Sequence, residues 1–136
     1  STMKQVHKAV SLLKGSPVAL LQCVSTYPSK DEELNLRVIE TLQKEFPTIP
    51  IGYSGQENGS TLAVCAVAMG ACIIERHITL DRTMPGSDQA ASLEPFRLEL
   101  TTVNIRRLER AWGDGIKRIL PTEQPILDKL RRVKDF

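Results

Sequence analysis

Residues 73–95 read IIERHITLDRTMPGSDQAASLEP and give the strongest indication of fold in the chain. The stretch opens as a short apolar run that predicts a buried β-strand, and Glu75, Arg76 and His77 interrupt it. Because strand side chains alternate between faces, Glu75, His77 and Thr79 share one face. A carboxylate and an imidazole on a buried strand are costly to desolvate unless something pairs or uses them. Together with the polar loop that follows, this predicts a strand that carries polar side chains to the entrance of a functional site.

Around this stretch the sequence alternates between helical and extended patterns. Strands are predicted at residues 18–24, 51–54 and 72–79. Helices are predicted at residues 3–14, 60–69 and 93–112. A further helix is predicted to follow a cap formed by Ser29 and Glu32, and a tail-like segment begins at residue 116. Strands separated by helices imply parallel pairing with right-handed crossovers, so the fold class is α/β.

Three parallel strands form either a small open sheet or part of a (β/α)8 TIM barrel, and two observations favour the barrel. Every predicted strand ends in a polar loop, at residues 25–27, 54–56 and 77–79, which is where barrel enzymes place their sites. A whole barrel usually needs about 250 residues, and this chain has 136. We therefore expect residues 1–120 to form a partial barrel, about strands six to eight with their helices.

Composition excludes several function classes. The net charge of +2 is too small to indicate nucleic acid or an anionic membrane as the main partner. The apolar runs are all shorter than a membrane span. The three cysteines, Cys23, Cys65 and Cys72, all lie in apolar runs, so we expect them to be buried and reduced. Reduced cysteines would place the protein in the cytoplasm.

Three loop motifs together resemble one known family. LLQCVSTYP at residues 20–28, IGYSGQENG at residues 51–59 and the opening stretch are similar to the sialic acid synthases, N-acetylneuraminate synthase and its bacterial relatives. The resemblance covers nearly the whole chain. It implies that phosphoenolpyruvate condenses with N-acetylmannosamine or its 6-phosphate, giving N-acetylneuraminate or its 9-phosphate and inorganic phosphate. It also implies a divalent metal, Mn²⁺ or Mg²⁺, that polarises the sugar aldehyde.

The resemblance assigns roles to residues on all three loops. His77 corresponds to a metal ligand, and Glu75 stands beside metal and substrate, where it can assist proton transfer; we take both as the catalytic residues. Ser54 corresponds to a residue near the phosphate, and Ser25 stands where many relatives have a phosphate-binding Asn. The remaining two positions, Tyr27 and Asp88, line the amino-sugar pocket in the family.

Gln56 departs from the family pattern. The family has His after Ser-Gly or Ser-Asp, and that His is the second protein ligand of the metal, whereas this chain has Ser54-Gly55-Gln56. A Gln carbonyl oxygen can bind a hard cation but is a weaker ligand than imidazole for transition metals. The change implies an altered metal preference, weaker metal binding or a degenerate site. Gln56 therefore leaves open a catalytically degenerate paralogue with a binding or scaffold role. A synthase of the legionaminic or pseudaminic acid type also stays open, because the sugar loop is too short to decide the substrate.

Simpler structural readings also stay open at the site positions. His77 could be a core histidine bonded to Glu75, and Tyr27 a hydrophobic plug. Ser54 and Gly55 could be ordinary turn residues, and Asp88 could cap a helix starting near Ser92. The other histidine, on the first helix, is expected at the surface.

The family resemblance also bears on domain organisation. Residues 121–136 correspond to a linker toward a C-terminal antifreeze-like domain that is absent here, and that domain completes the partner's site in a homodimer. In the family, the lysines that bind phosphoenolpyruvate belong to the first part of the barrel. We therefore expect the isolated 136-residue chain to be inactive and prone to aggregation.

Overall fold

The structure, a computed structural model, describes residues 1–132. Its helices and strands alternate along the chain. They are α1 (Met3–Leu12), β1 (Leu20–Cys23), a 3₁₀ turn (Asp31–Glu33), α2 (Val38–Glu45), β2 (Ile51–Gly55), α3 (Thr61–Ala68), β3 (Ile73–Arg76), a second 3₁₀ turn (Gln89–Ala91), α4 (Pro95–Ala111) and α5 (Gln124–Leu130).

The three strands form one parallel sheet in the order β1-β2-β3. The register sets Cys23 opposite Ser54, and Ser54 opposite Glu75, so the three lie in one row across the sheet. All five residues of the central strand β2 are buried. The predicted α/β arrangement with parallel strands is confirmed, whereas the partial barrel stays a prediction.

One face of the sheet carries the hydrophobic core. Ile39, Leu42 and Phe46, from α2 and its C-terminal end, pack there with Ile51 and Tyr53 of β2. The small residues of α3, Ala63 and Ala66, are fully buried, as expected for a helix that packs closely on a sheet. The apolar stripe of α1 completes this layer, with Met3, Val6 and Val10 packed against the core.

The other face of the sheet is open, so the prediction of a buried strand at the start of residues 73–95 is wrong. β1 is only half-buried, and Ile73 and Glu75 of β3 are exposed. β1 and β3 are the edge strands of the sheet. The helices of this chain pack on the face that carries the hydrophobic core. Glu75 and His77 are therefore accessible to solvent, and the expected desolvation cost does not arise within this chain.

The first two helices begin in different ways. Thr2 forms a capping box at the start of α1, since its side chain accepts from the Gln5 amide and its amide donates to the Gln5 side chain. The cap by Ser29 and Glu32 is wrong. The Ser29 hydroxyl donates instead to the carbonyl of Thr26 at 2.6 Å, and α2 begins only at Val38.

The C-terminal part of the chain also differs from expectation. The predicted helix at residues 93–112 begins later, at Pro95, because proline is favoured at the first position of a helix. On the surface of this helix, Leu98 and Trp112 are exposed. The tail-like segment contains α5. The predicted linker at 121–136 stays a prediction, and its residues 133–136 lie outside the described residues.

The predicted burial of the cysteines is wrong. Cys23, Cys65 and Cys72 are free thiols but exposed, because they lie at surfaces that this chain does not cover. Their environment thus gives no support to a cytoplasmic location. Among residues 1–132, none of the helices combines the length and apolar character needed to cross a lipid bilayer.

Candidate functional site

The Ser54 hydroxyl lies at the centre of a polar group on the open face of the sheet. It donates to the Glu75 carboxylate at 2.7 Å and accepts from the Gln56 side-chain amide at 3.2 Å. The same amide nitrogen lies 3.7 Å from the Cys23 sulfur. Parallel register produces this group, because Cys23, Ser54 and Glu75 occupy one row at the C-terminal ends of neighbouring strands. Ser54 therefore fixes the direction of a carboxylate that remains accessible from outside.

A second group surrounds the imidazole of His77. The Tyr27 ring lies against it, with centroids 4.7 Å apart and planes inclined by 37°. The Asp88 carboxylate lies 3.6 Å from the His77 Nδ1 atom. The side chains of His77 and Asp88 are each about half exposed, at 41% and 50%. The structure thus brings together three of the residues predicted for the metal and amino-sugar sites.

Ser92 ties this second group together. Its hydroxyl donates to the Asp88 carbonyl at 2.7 Å and lies 3.2 Å from the Tyr27 hydroxyl. The peptide bond from Tyr27 to Pro28 is cis. The alternative in which Asp88 caps a helix is wrong, because its side chain caps neither the adjoining 3₁₀ turn nor α4, which begins after Glu94. Ser92 is a buried link between two loops rather than the start of the last helix.

The loop after β3 is ordered by its own side chains. Thr83 donates both its amide and its hydroxyl to the Asp81 carboxylate at 2.7 Å, and these bonds hold the pKa of Asp81 below its usual range. Thr79 is buried, and its hydroxyl bonds the side chain of Gln89. The loop therefore leaves β3 along a defined path before it presents Asp88.

A buried charged cluster behind the sheet was missed in the sequence. Glu57 accepts from Arg76 at 2.5 Å and from the Tyr53 hydroxyl at 2.8 Å. Burial and the Glu57 carboxylate both raise the pKa of Tyr53. Strand alternation gives a signal for Arg76, since it must face opposite to Glu75 and His77 and hence toward the core. A charge on that side needs a partner, and Glu57 is the acidic residue of the adjoining loop.

The remaining predicted positions are less well connected. Ser25 is exposed just beyond β1. Gln56 and His77, the predicted metal ligands, belong to different groups: the Gln56 amide nitrogen faces Ser54, and His77 Nδ1 faces Asp88. In the part of the chain that the structure describes, no three His, Cys, Asp or Glu side chains converge to hold a metal ion. The surface position of His7 is confirmed, and it pairs with Glu45 at 2.8 Å.

Comparisons with known proteins identify relatives of the chain. The chain is 51% identical over 129 residues to the human N-acetylneuraminate-9-phosphate synthase, a match that covers 95% of this chain and 36% of the relative. It is 36% identical to the N,N'-diacetyllegionaminic acid synthase of Campylobacter jejuni, covering 97% of this chain and 41% of the relative. The chain thus spans somewhat over a third of the length of these relatives.

A solved structure extends the similarity to three dimensions. The N-acetylneuraminic acid (sialic acid) synthetase of Leptospira borgpetersenii, crystallised with citrate, superposes with a TM-score of 0.81 at 37% identity, over 98% of this chain and 48% of that one. The sequence signature of the NeuB family matches residues 1–117, which contain every site position described above. On this evidence the chain belongs to the NeuB family.

Proposed function

We propose that this chain is part of a sialic acid synthase that condenses phosphoenolpyruvate with N-acetylmannosamine or its 6-phosphate. Carbon 3 of phosphoenolpyruvate would bond to the sugar's aldehyde carbon, whose oxygen takes up a proton. Water would then add to carbon 2, and the carbon–oxygen bond to phosphate would break. The products are N-acetylneuraminate, or its 9-phosphate, and inorganic phosphate. The observation that carries the proposal is the Ser54–Glu75 hydrogen bond beside the Tyr27–His77–Asp88 group.

The two groups of side chains suit different parts of this reaction. Glu75 is accessible and oriented by Ser54, so it can move a proton at the reacting sugar oxygen. Tyr27 offers a ring face and a hydroxyl, and Asp88 offers a half-exposed carboxylate, which together suit the polar and apolar surfaces of an amino sugar. We assign Ser54 and Ser25 to the phosphoenolpyruvate side on the family resemblance. The Ser25 hydroxyl is exposed just beyond β1 and can donate to a phosphate oxygen.

We further propose that residues 1–120 belong to a (β/α)8 barrel completed by chain outside this sequence. The open face of the sheet supports this, since Ile73, Glu75 and Cys23 are exposed there and both outer strands have an unpaired edge. A barrel has no edges. We also propose that the complete protein is a homodimer located in the cytoplasm. The isolated chain would be inactive, because it lacks the rest of the barrel.

A requirement for Mn²⁺ or Mg²⁺ is a separate proposal, and it rests on the family resemblance. His77 and the Gln56 carbonyl oxygen are the candidate ligands that this chain offers. They do not form a complete set, so the remaining ligands would come from substrate, water or the rest of the protein.

The test uses the complete polypeptide that carries this chain. Phosphoenolpyruvate is incubated with N-acetylmannosamine, with its 6-phosphate or with a legionaminic acid precursor, and phosphate release is measured together with product mass. We expect release that depends on N-acetylmannosamine or its phosphate. Preference for the legionaminic precursor would favour the alternative synthase, which the Campylobacter relative supports. Absence of sugar-dependent release at any metal concentration would favour the degenerate paralogue that Gln56 suggests.

A further inference from the structure

We propose that Glu57 and Arg76 are positioning residues whose buried ion pair holds the loop after β2 against β3, and so keeps the Ser54 hydroxyl on the Glu75 carboxylate. This inference rests on the proposed synthase activity. Neither residue is placed to touch substrate, because both lie on the helix-covered side of the sheet, opposite to Glu75.

Arg76 holds Glu57 at two points. Its Nη1 atom donates to the Glu57 carboxylate at 2.5 Å, and its Nη2 atom donates to the Glu57 main-chain carbonyl at 2.6 Å. Contact with both side chain and backbone fixes the loop itself as well as the carboxylate. The loop is also held from the β1 side, where the Ser29 amide donates to the Gln56 carbonyl at 3.0 Å.

Both oxygens of the Glu57 carboxylate are used within the protein. Tyr53 donates to the second oxygen at 2.8 Å, while Arg76 occupies the first. The exposed fraction of the side chain is 1% for Glu57 and 4% for Arg76. The pair is thus shielded from solvent, so screening by salt is weak. Its geometry is fixed by three donor groups, the Tyr53 hydroxyl and the two terminal nitrogens of Arg76.

Gly55 makes room for this arrangement. A Cβ atom at Gly55 would lie 2.9 Å from the Arg76 Cδ atom and 2.9 Å from the Glu57 carboxylate. The register also sets Gly55 directly opposite Arg76 on the neighbouring strand. The Arg76 side chain therefore crosses β2 at a position without a side chain and reaches the loop beyond it.

The pair is better explained by positioning than by stability. A buried ion pair is weak evidence for stability, because apolar side chains of similar volume often serve as well. Arg76 also keeps its Nε atom buried without a hydrogen-bond partner among the described residues, which is unfavourable. Yet Glu57 directly follows Gln56, and Arg76 lies between Glu75 and His77. A shift of either residue moves side chains of the candidate site.

The test compares three variants in the complete polypeptide. E57Q/R76M removes both charges at nearly constant volume, and R76K keeps the charge but loses the two-point contact. The matched control is E109Q/R106M, which removes an exposed ion pair on α4. For each we measure the melting temperature, kcat and KM for phosphate release, and hydrogen exchange of the amides at residues 54–59.

We expect E57Q/R76M to stay folded while kcat falls about 10- to 100-fold, since small misplacements of reacting groups have effects of that size. Exchange should accelerate at residues 54–59 and not elsewhere, R76K should be intermediate, and the control should match the wild type. Wild-type kcat and exchange in a folded E57Q/R76M would overturn the inference, as would acceleration spread evenly over the chain. If E57Q/R76M does not fold, R76K decides by the same readouts. If the wild type lacks turnover, the proposed function fails, while local exchange still decides whether the pair holds the loop.

Discussion

The Ser54 hydroxyl donates to the Glu75 carboxylate at 2.7 Å, directly across the β2–β3 pair. Replacing Ser54 with Ala should leave the fold intact but free the carboxylate to turn. A hydrogen bond to a charged group is worth about 1.5 kcal/mol, so we expect kcat/KM of the complete enzyme to fall about tenfold. The S60A variant serves as control, since Ser60 lies beyond the loop. Unchanged kcat/KM in S54A would show that this bond does not orient Glu75 for the reaction.

The Gln56→His substitution tests whether residue 56 lies at a metal. An imidazole is a better ligand than a carboxamide for transition metals. We expect the Mn²⁺ concentration giving half-maximal phosphate release to fall about 10- to 100-fold, with a smaller effect for Mg²⁺. Equilibrium dialysis with Mn²⁺ provides a readout that does not depend on turnover. Equal Mn²⁺ binding by Q56H and the wild type would place the metal elsewhere.

Tyr27→Phe separates the ring from the hydroxyl. The Phe ring can still lie against His77, but the link to Ser92 is lost. If Tyr27 lines the sugar pocket, KM for the amino sugar should rise severalfold while KM for phosphoenolpyruvate stays constant. Ser92→Ala is the comparison, because it removes the same Tyr27–Ser92 bond while the Tyr27 hydroxyl stays available to the sugar. A KM change for phosphoenolpyruvate alone would move Tyr27 to the phosphate side.

Gly55→Ala should be destabilising although it adds one methyl group. The new Cβ would lie 2.9 Å from atoms of Arg76 and Glu57, and overpacking of this kind costs about 1–3 kcal/mol. Chemical denaturation measures the loss. Gly59→Ala is the comparison, because a Cβ there meets no neighbour, although its positive φ adds strain. A G55A variant as stable as the wild type would mean that the Arg76 side chain can move aside freely.

Stability at alkaline pH should depend on Tyr53. Burial and Glu57 raise the pKa of Tyr53 above its ordinary value near 10. The folded state therefore holds the phenolic proton more tightly, and this contribution is complete below about pH 10 and lost as the pH rises further. We expect the free energy of unfolding to fall less steeply above pH 10 in Y53F than in the wild type. Parallel curves for the two proteins would exclude this contribution.

The sequence predicts the order of elements well and the burial of the strands poorly. Apolar runs identify the strands, and the small residues of α3 identify a helix packed on a sheet. Whether a second face is covered depends on other segments of chain, so the expected burial of Glu75 and His77 could not be judged from their own strand. Cys23 was misjudged for the same reason.

For the candidate site, too, the sequence predicts some features and leaves others undetermined. Loop motifs indicate which residues gather at the strand ends, and the contacts of Ser54 with Glu75 and of Tyr27 with His77 agree with that grouping. The Glu57–Arg76 pair could not be specified, because it joins residues 19 positions apart through a register that only the folded sheet defines.

The hydrogen bond between Tyr27 and Ser92 joins residues 65 positions apart. Closing so long a segment carries a large entropic cost, and contacts of high sequence separation form slowly. The Tyr27 loop and the Asp88 loop can meet only when all three strands have paired between them. Assembly of the Tyr27–His77–Asp88 group is therefore coupled to completion of the sheet, and a partly folded chain cannot present it.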